Sequence, residues 1–238
     1  MKKKKIIVEI HFNAFGFTPD RFEKKWIDHR MALFMKYAVS SLKKQTNQNF
    51  LTLVRYEDST EKLIKEALAR YKELPSNIKF VNKAEHMNGL KESCQSNDYI
   101  YIVRLDSDDL YHKTYIQQLH DYKPKKDTEV LINQNGYLYD SVTDRIAHYY
   151  HFSPQFYVYI YKSDEYLEGK RYRPGGHGNV IKKFKYELLK NRNYVNVIHK
   201  QNVSNKRLGK KDTNTGRVDT KNVINDPKKV RDILKEFM

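Results

Sequence analysis

A single cysteine, Cys94, removes two classes of chemistry at once. It cannot form an internal disulfide, and no second thiol exists to build a thiolate metal site. A reducing cytosol is therefore the simplest compartment, and any metal is held by oxygen or imidazole. Long apolar runs are missing too. None approaches the length of a membrane span. Ile6-Ile7-Val8, after the basic start Met1-Lys2-Lys3-Lys4-Lys5, is too short for the apolar core of a signal peptide. Glycine is scarce where a phosphate cradle would need it: Asn13 to Phe17, after the first apolar run, holds only Gly16. Glycine density peaks instead in Arg171 to Gly178, which reads as a loop because no regular element tolerates that Gly/Pro content.

Positive charge is plentiful. A net charge of +16 over 238 residues implies anionic partners: nucleic acid, an acidic membrane face, a wall polymer or nucleotide phosphates. Lysine outnumbers arginine and is spread along the chain, whereas a dedicated nucleic-acid reader concentrates charge on one element. Lys-, Asn-, Ile- and Tyr-rich usage equally fits an AT-rich genome, and the N-terminal lysines read as a solvated terminus.

The length suits one large α/β domain with a tail. Short apolar runs alternate with helical periodicity through the first half, the pattern of parallel strands joined by crossover helices. Ile6–Ile10, Phe50–Val54, Ile78–Val81 and Tyr99–Val103 read as strands. The last is a continuous apolar run, as expected of a central strand covered on both faces. Met31, Phe34, Met35, Ala38, Val39 and Leu42 form one helical stripe; Leu63, Ile64, Ala67, Leu68 and Tyr71 form a second. A weak helix is expected near Gly89 to Cys94, and another carrying Tyr111, Tyr115, Leu119 and Tyr122. Beyond Pro124, strands joined by turns (130–132, 137–139, 145–149, 156–161) predict an antiparallel or mixed portion. A helix over Ile181 to Leu189 and a strand over Tyr194 to Ile198 follow. Residues 1–205 are read as the domain and 206–238 as a basic extension with a terminal amphipathic helix. The aromatics from Tyr149 to Tyr161 read as strand packing more readily than as a sugar platform.

Arg104-Leu105-Asp106-Ser107-Asp108-Asp109 follows the central strand. Open α/β sheets bind ligands outside the carboxyl ends of their strands. In an extended segment Asp106 and Asp108 would project to one side, their Cα atoms about 7 Å apart. Two hard carboxylates there can serve one Mg²⁺ or Mn²⁺ shared with substrate phosphates. The competing reading is that Asp108 or Asp109 caps a helix beginning near Leu110.

His29-Arg30-Met31, Ser40-Ser41-Leu42-Lys43-Lys44-Gln45-Thr46-Asn47-Gln48-Asn49-Phe50, Arg104 to Asp109, and Val197-Ile198-His199-Lys200-Gln201-Asn202-Val203-Ser204-Asn205 together resemble the bacterial rhamnosyltransferase family, relatives of the inverting family 2 glycosyltransferases. The resemblance spans roughly residues 29 to 205. It implies a GT-A fold: a mostly parallel central sheet flanked by helices, with a mixed C-terminal portion. It implies a nucleotide-sugar donor, a divalent Mn²⁺ or Mg²⁺, and a glycan, wall-polymer or protein acceptor. By that similarity Asp108 is the principal metal ligand, Asp106 contacts metal or donor ribose, and His199 supplies an imidazole. Asn202, Asn205 and Arg207 then contact the diphosphate, or the asparagines simply form a turn. Asp58, after the second strand, is placed to contact the nucleobase or ribose; the local alternative is a capping box with Glu61. Arg30 and Arg104 support phosphates or carboxylates by forked hydrogen bonds, or Arg104 neutralises the neighbouring aspartates. The family's usual Glu-Asp pair before a late helix is not evident. His177 stands in its place as base candidate, with Asp140, Asp144, Asp164 and Glu165 as further options.

Two rival functions remain. A nucleotidyltransferase uses similar carboxylates but lacks its glycine loop here. A basic nucleic-acid-binding module explains the charge and leaves Asp106, Asp108 and Asp109 idle. A cytoplasmic location, at the inner face of an anionic membrane, accommodates the transferase.

Overall fold

The computed structural model describes residues 2–14, 18–200, 202, 208 and 216–238. Its first part runs β1 (Lys4–His11), α1 (Lys24–Phe34), a π-helical segment (Met35–Val39), α2 (Ser40–Lys43), β2 (Leu51–Arg55), α3 (Glu61–Leu68), β3 (Ile78–Val81), α4 (Lys83–Gln95) and β4 (Tyr99–Arg104). Next come β5 (Leu110–Tyr111), α5 (Tyr115–Asp121), β6 (Val130–Asn133), β7 (Asn135–Asp140), β8 (Arg145–His151), β9 (Tyr157–Lys162) and α6 (Ser163–Leu167). The chain closes with α7 (Val180–Lys183), β10 (Tyr186–Leu189), β11 (Tyr194–Ile198), β12 (Gly216–Val218) and α8 (Pro227–Leu234).

Two mixed sheets result. One has the order β10-β6-β9-β4-β1-β2-β3 and the other β12-β8-β7-β11-β5. β1 to β4 are mutually parallel, with β1 between β4 and β2, while β9 inserts antiparallel between β4 and β6. The expected α/β class with a parallel half and a mixed half is what the chain adopts. β1 shows why: Ile6, Val8 and Ile10 pack on the α1/α3 side, while Ile7 faces the α4 side. Such a strand is apolar on both faces because helices cover both.

Three expectations are corrected. Leu110-Tyr111 is a strand, not a helix start, and the helix begins only at Tyr115. Neither Asp108 nor Asp109 caps it. The run Ile181 to Leu189 splits into the four-residue α7 and the edge strand β10, whose Tyr186 and Leu188 are exposed. The weak helix near Gly89 is in fact thirteen residues long, started by a capping box between Asn82 and Glu85.

Residues 216–238 add to the second sheet. β12 pairs with β8, and α8 lays Val230 and Leu234, with Phe237 just beyond, against Leu110, Tyr139, Ile146 and Val197. The late aromatics are mostly packing, as read from their alternation: Tyr149, Phe156, Tyr157, Tyr159 and Tyr161 are buried, and Phe156 stacks on Tyr194 at 3.8 Å. Phe152 is the exposed one among them.

Candidate functional site at the carboxyl end of the central strand

β4 ends at Arg104, and the chain then turns rather than continuing extended, with Asp109 N–H donating to Asp106 C=O (3.2 Å). The turn is anchored from several sides. Tyr111 Oη donates to Arg104 C=O (2.6 Å). Ser41 Oγ accepts from Tyr111 N–H (2.8 Å), and Gln45 bridges Ile116 N–H and His112 C=O. These contacts give a physical reading to the Ser41-Leu42-Lys43-Lys44-Gln45 motif: its polar side chains clamp the backbone that follows the acidic turn.

The three aspartates have three fates. Asp106 is over a third exposed and pairs with Arg104 Nη2 (3.1 Å). Burial by itself would lower the Arg104 pKa, but Asp106 and Tyr157 raise it, so the guanidinium stays charged. Arg104 is thus the neutraliser of an adjacent aspartate, one of its two expected roles. Asp108 is buried, and its Oδ2 meets Arg30 Nη1 at 2.7 Å and His199 Nε2 at 2.9 Å. Burial would push its carboxyl up; Arg30 first, with His199, overcomes this and holds it at about 2. Asp109 is fully enclosed and accepts from Val197 N–H (2.9 Å) and Asn196 Nδ2 (2.8 and 3.0 Å), with Gln155 Nε2 at 3.4 Å. Burial, then Asp108 and Asp106, push its pKa well above the ordinary carboxylate value. Asp109 locks the acidic turn to β11, which delivers His199 to Asp108.

The expectation of an extended segment at Asp106 to Asp108 is corrected: the chain turns there, and the two carboxylates pair with different arginines. Asp108 and His199, 91 positions apart, are the pair brought together. An oxygen and an imidazole nitrogen 2.9 Å apart fit adjacent positions around one divalent ion. Among the described residues no cluster of three or more His, Cys, Asp or Glu side chains has metal-binding geometry. Among the described residues Asp108 and His199 are the two donors that meet here, a number compatible with a divalent cation completed by other ligands.

Cationic groups at this edge are underused. Arg30 Nε and Arg55 Nε are buried and make no hydrogen bond among the described residues. Unmet buried donors of this kind are costly, and an anionic ligand would meet them. On the α4 side of β1, Glu9 binds His86 Nε2 (2.7 Å) and lies 3.5 Å from His11 Nε2. Burial opposes ionisation of Glu9, but the two imidazoles hold its carboxyl far below the ordinary value. A charge inside the apolar run Ile6 to Ile10 was the available signal for Glu9; nothing in the sequence pointed to His86 or Asn196.

Asp58 lies beyond β2, in a 3₁₀ turn, and its Oδ1 accepts from Lys83 N–H (3.0 Å) at the start of α4. The capping box with Glu61 is not formed; Asp58 caps a different helix. Asn202 turns back, accepting from His199 N–H and donating to Val197 C=O (3.2 Å), so it shapes the turn carrying His199 rather than reaching outward. Asn205 and Arg207 lie outside the described residues. His177 is exposed in the glycine loop. Its C=O accepts from Ser153 Oγ (2.7 Å) and its ring is 6.1 Å from His151. Two residues past Ser153, Gln155 Nε2 lies 3.4 Å from Asp109 Oδ2. Glu165 is engaged with Lys162 and Lys170 beyond the far end of β9, and Asp140 accepts from Val142 N–H and Thr143 Oγ1 and lies 3.8 Å from Arg145 in its own hairpin.

An α/β sheet with an anchored acidic turn at the carboxyl end of its central parallel strand defines the class: an open α/β fold, whose ligands generally bind outside the carboxyl ends of its strands. The chain belongs to the family described as "Putative rhamnosyl transferase", whose model matches residues 18–211. No curated protein matches. Among solved structures it is similar to S. aureus TarS 1-349 in complex with UDP, at 14% identity and TM-score 0.46, covering 82% of this chain and 60% of that one. The same TarS fragment with UDP-GlcNAc gives 12% identity, TM-score 0.46, and 84% and 60% coverage. A "putative nucleotide-diphospho-sugar transferase" from Desulfovibrio desulfuricans G20 gives 13% identity, TM-score 0.37, and 79% and 80% coverage. The chain thus spans 60% of the length of TarS 1-349.

Proposed function

We propose that this protein transfers a sugar from a nucleoside-diphosphate donor to a glycan, wall-polymer or protein acceptor, with a divalent cation held by Asp108 and His199. The observation that carries the reading is the meeting of Asp108 Oδ2, His199 Nε2 and Arg30 Nη1 at the carboxyl end of the central strand. Membership of the rhamnosyl transferase family supports it. A bound Mn²⁺ or Mg²⁺ supplies Lewis-acid neutralisation of the departing diphosphate. Arg30 and Arg55, with unmet Nε–H groups, provide fixed positive charge for the same phosphates. Asp106, partly exposed and paired with Arg104, faces the donor ribose, and Asp58 marks the nucleobase end. Asp109 takes no part in ligand binding; it keeps the turn in register with β11. His177 accepts the acceptor hydroxyl's proton as the base. Among the described residues no helix is long and apolar enough to cross a membrane; the reading includes peripheral contact of the +16 chain with an anionic membrane face.

The test is thermal stabilisation and donor hydrolysis across a panel of nucleoside-diphosphate sugars, with and without Mn²⁺. Stabilisation by one donor is expected, abolished in Asp108→Asn. His199→Ala should weaken Mn²⁺ binding, so that more Mn²⁺ is needed for the same response, and His177→Gln should depress kcat with donor affinity intact. No response to any donor, together with salt-sensitive RNA binding indifferent to Asp108→Asn, would overturn the proposal.

A further inference from the structure

β10 is the outermost strand of the larger sheet, so one of its edges is unpaired. Tyr186 and Leu188 stand in register with Val130 and Ile132 of β6, which are buried, yet are themselves 43% and 40% exposed. The apolar face of the sheet thus runs out to solvent at its last strand. Lysine surrounds it. Lys182 and Lys183 end α7, Lys185 and Lys190 flank β10, and Lys123, Lys125 and Lys126 lie in the segment joining α5 to β6. Glu187 ties that segment to β10, accepting from Lys125 N–H (2.8 Å) and Tyr122 Oη (3.0 Å). All seven lysines are exposed. Among the described residues only Lys185 of the seven has an acidic partner, Asp127 at 3.8 Å, with both side chains 72% exposed, and a pair so open to water contributes little. The other two acids of 123–129 and 182–190 are spent on local bonds: Glu187 as above, and Glu129 Oε2 on Lys185 N–H (2.9 Å).

We infer that this edge docks on an anionic lipid bilayer, the lysines over the headgroups and Tyr186 and Leu188 entering the interface. The inference gives a surface to the peripheral membrane contact in the reading above and rests on it. Unpaired lysines near an acidic bilayer each add a modest attraction, and apolar side chains among them supply the contact that charge alone does not. A nucleic acid would leave Leu188 idle, and its readers favour arginine and stacking rings. A second copy of the chain would set the same lysines against each other. Lysine also blunts a strand edge against pairing, which accounts for Lys185 but not for the lysines of the two flanking segments or for the exposed leucine. Docking here leaves the acidic turn, at the carboxyl end of β4 three strands away, open to donor and acceptor.

The test is co-sedimentation of the full chain with vesicles of phosphatidylcholine alone and with about one-third phosphatidylglycerol, beside separate titrations with a nucleoside-diphosphate sugar and with a single-stranded RNA oligonucleotide. Binding to the anionic vesicles and not to the neutral ones is expected. Lys182→Gln with Lys183→Gln should weaken it about five-fold for each lysine removed, and Leu188→Gln about three- to five-fold, while Asp108→Asn leaves it unchanged. Absence of binding to the anionic vesicles, or binding unaltered by the double variant, overturns the docking edge; donor binding that persists then spares the transferase. RNA binding weakened by the double variant, in a chain that ignores vesicles, also overturns it and makes the edge a nucleic-acid face. Vesicle binding that responds to the variants in a protein that binds no donor supports the docking edge and removes the transferase reading instead.

Discussion

Replacing Arg30 with glutamine removes the guanidinium that sits 2.7 Å from Asp108 Oδ2, in a pair whose side chains are 24% and 11% exposed. Breaking a fully buried ion pair costs about 3–5 kcal/mol, and an exposed one about 0–1. This pair is mostly enclosed, but His199 stays on the same oxygen, so the loss should be about 2 kcal/mol. For a domain of this size that lowers Tm by about 4–8 °C. The pH dependence is the sharper readout. Asp108 is held at about 2, below the ordinary unfolded value of about 3.9. Its contribution is therefore complete above that unfolded value and is lost as pH falls through the folded one. Without Arg30, burial has less opposition and the folded value rises. The Tm gap between wild type and Arg30→Gln should be widest near pH 7 and should narrow as pH falls from about 4 toward 2. Melts followed by circular dichroism from pH 2.5 to 7.5 measure it, and MnCl₂ should stabilise the variant more than wild type, because the cation no longer competes with the guanidinium. A gap of equal size at both ends of the range would refute the electrostatic argument and move the loss to packing of Arg30 over Trp26, where it lies 5.5 Å from the ring centre.

Asp109→Ala should cost about 2–4 kcal/mol, because Val197 N–H and the Asn196 amide lose a buried acceptor together. The urea midpoint reads it, and a loss below about 1 kcal/mol would show that Asp109 does not anchor β11. Gly136→Ala places a methyl 2.4 Å from the Tyr194 ring, itself stacked on Phe156, so that ring must shift. A destabilisation of about 1–3 kcal/mol is expected, and an unchanged melting curve would contradict the packing described for β7 and β11.

The parallel half of the fold was legible because its signals are local and redundant. Tyr99 to Val103 is an uninterrupted apolar run with no alternative to a doubly covered strand, and Met31 to Leu42 repeats at helical spacing over three turns. Legibility failed where a segment was short. Leu110-Tyr111 has two residues of strand, specified by pairing with Tyr194 and Val195 rather than by any period of its own. Tyr186 to Leu189 became an edge strand because Val130 to Asn133 offered a partner, against a pattern that also suits a helix.

The candidate site divides the same way. Asp106, Asp108 and Asp109 were visible as an acidic run after a buried strand, and His199 as a histidine at the end of another. Their separate fates were not, because each depends on which group the fold brings within 3 Å. Composition and periodicity determine that this chain makes an α/β sheet ending in acid, since burial of apolar faces acts on every residue of a strand or helix. Arg104, two residues from Asp106, was within reach of it in the sequence itself; only tertiary structure decides that Asp108 meets Arg30 and His199 and that Asp109 meets β11, since hydrogen-bond strength falls away within an ångström and no linear pattern encodes so short a distance between residues up to 91 positions apart.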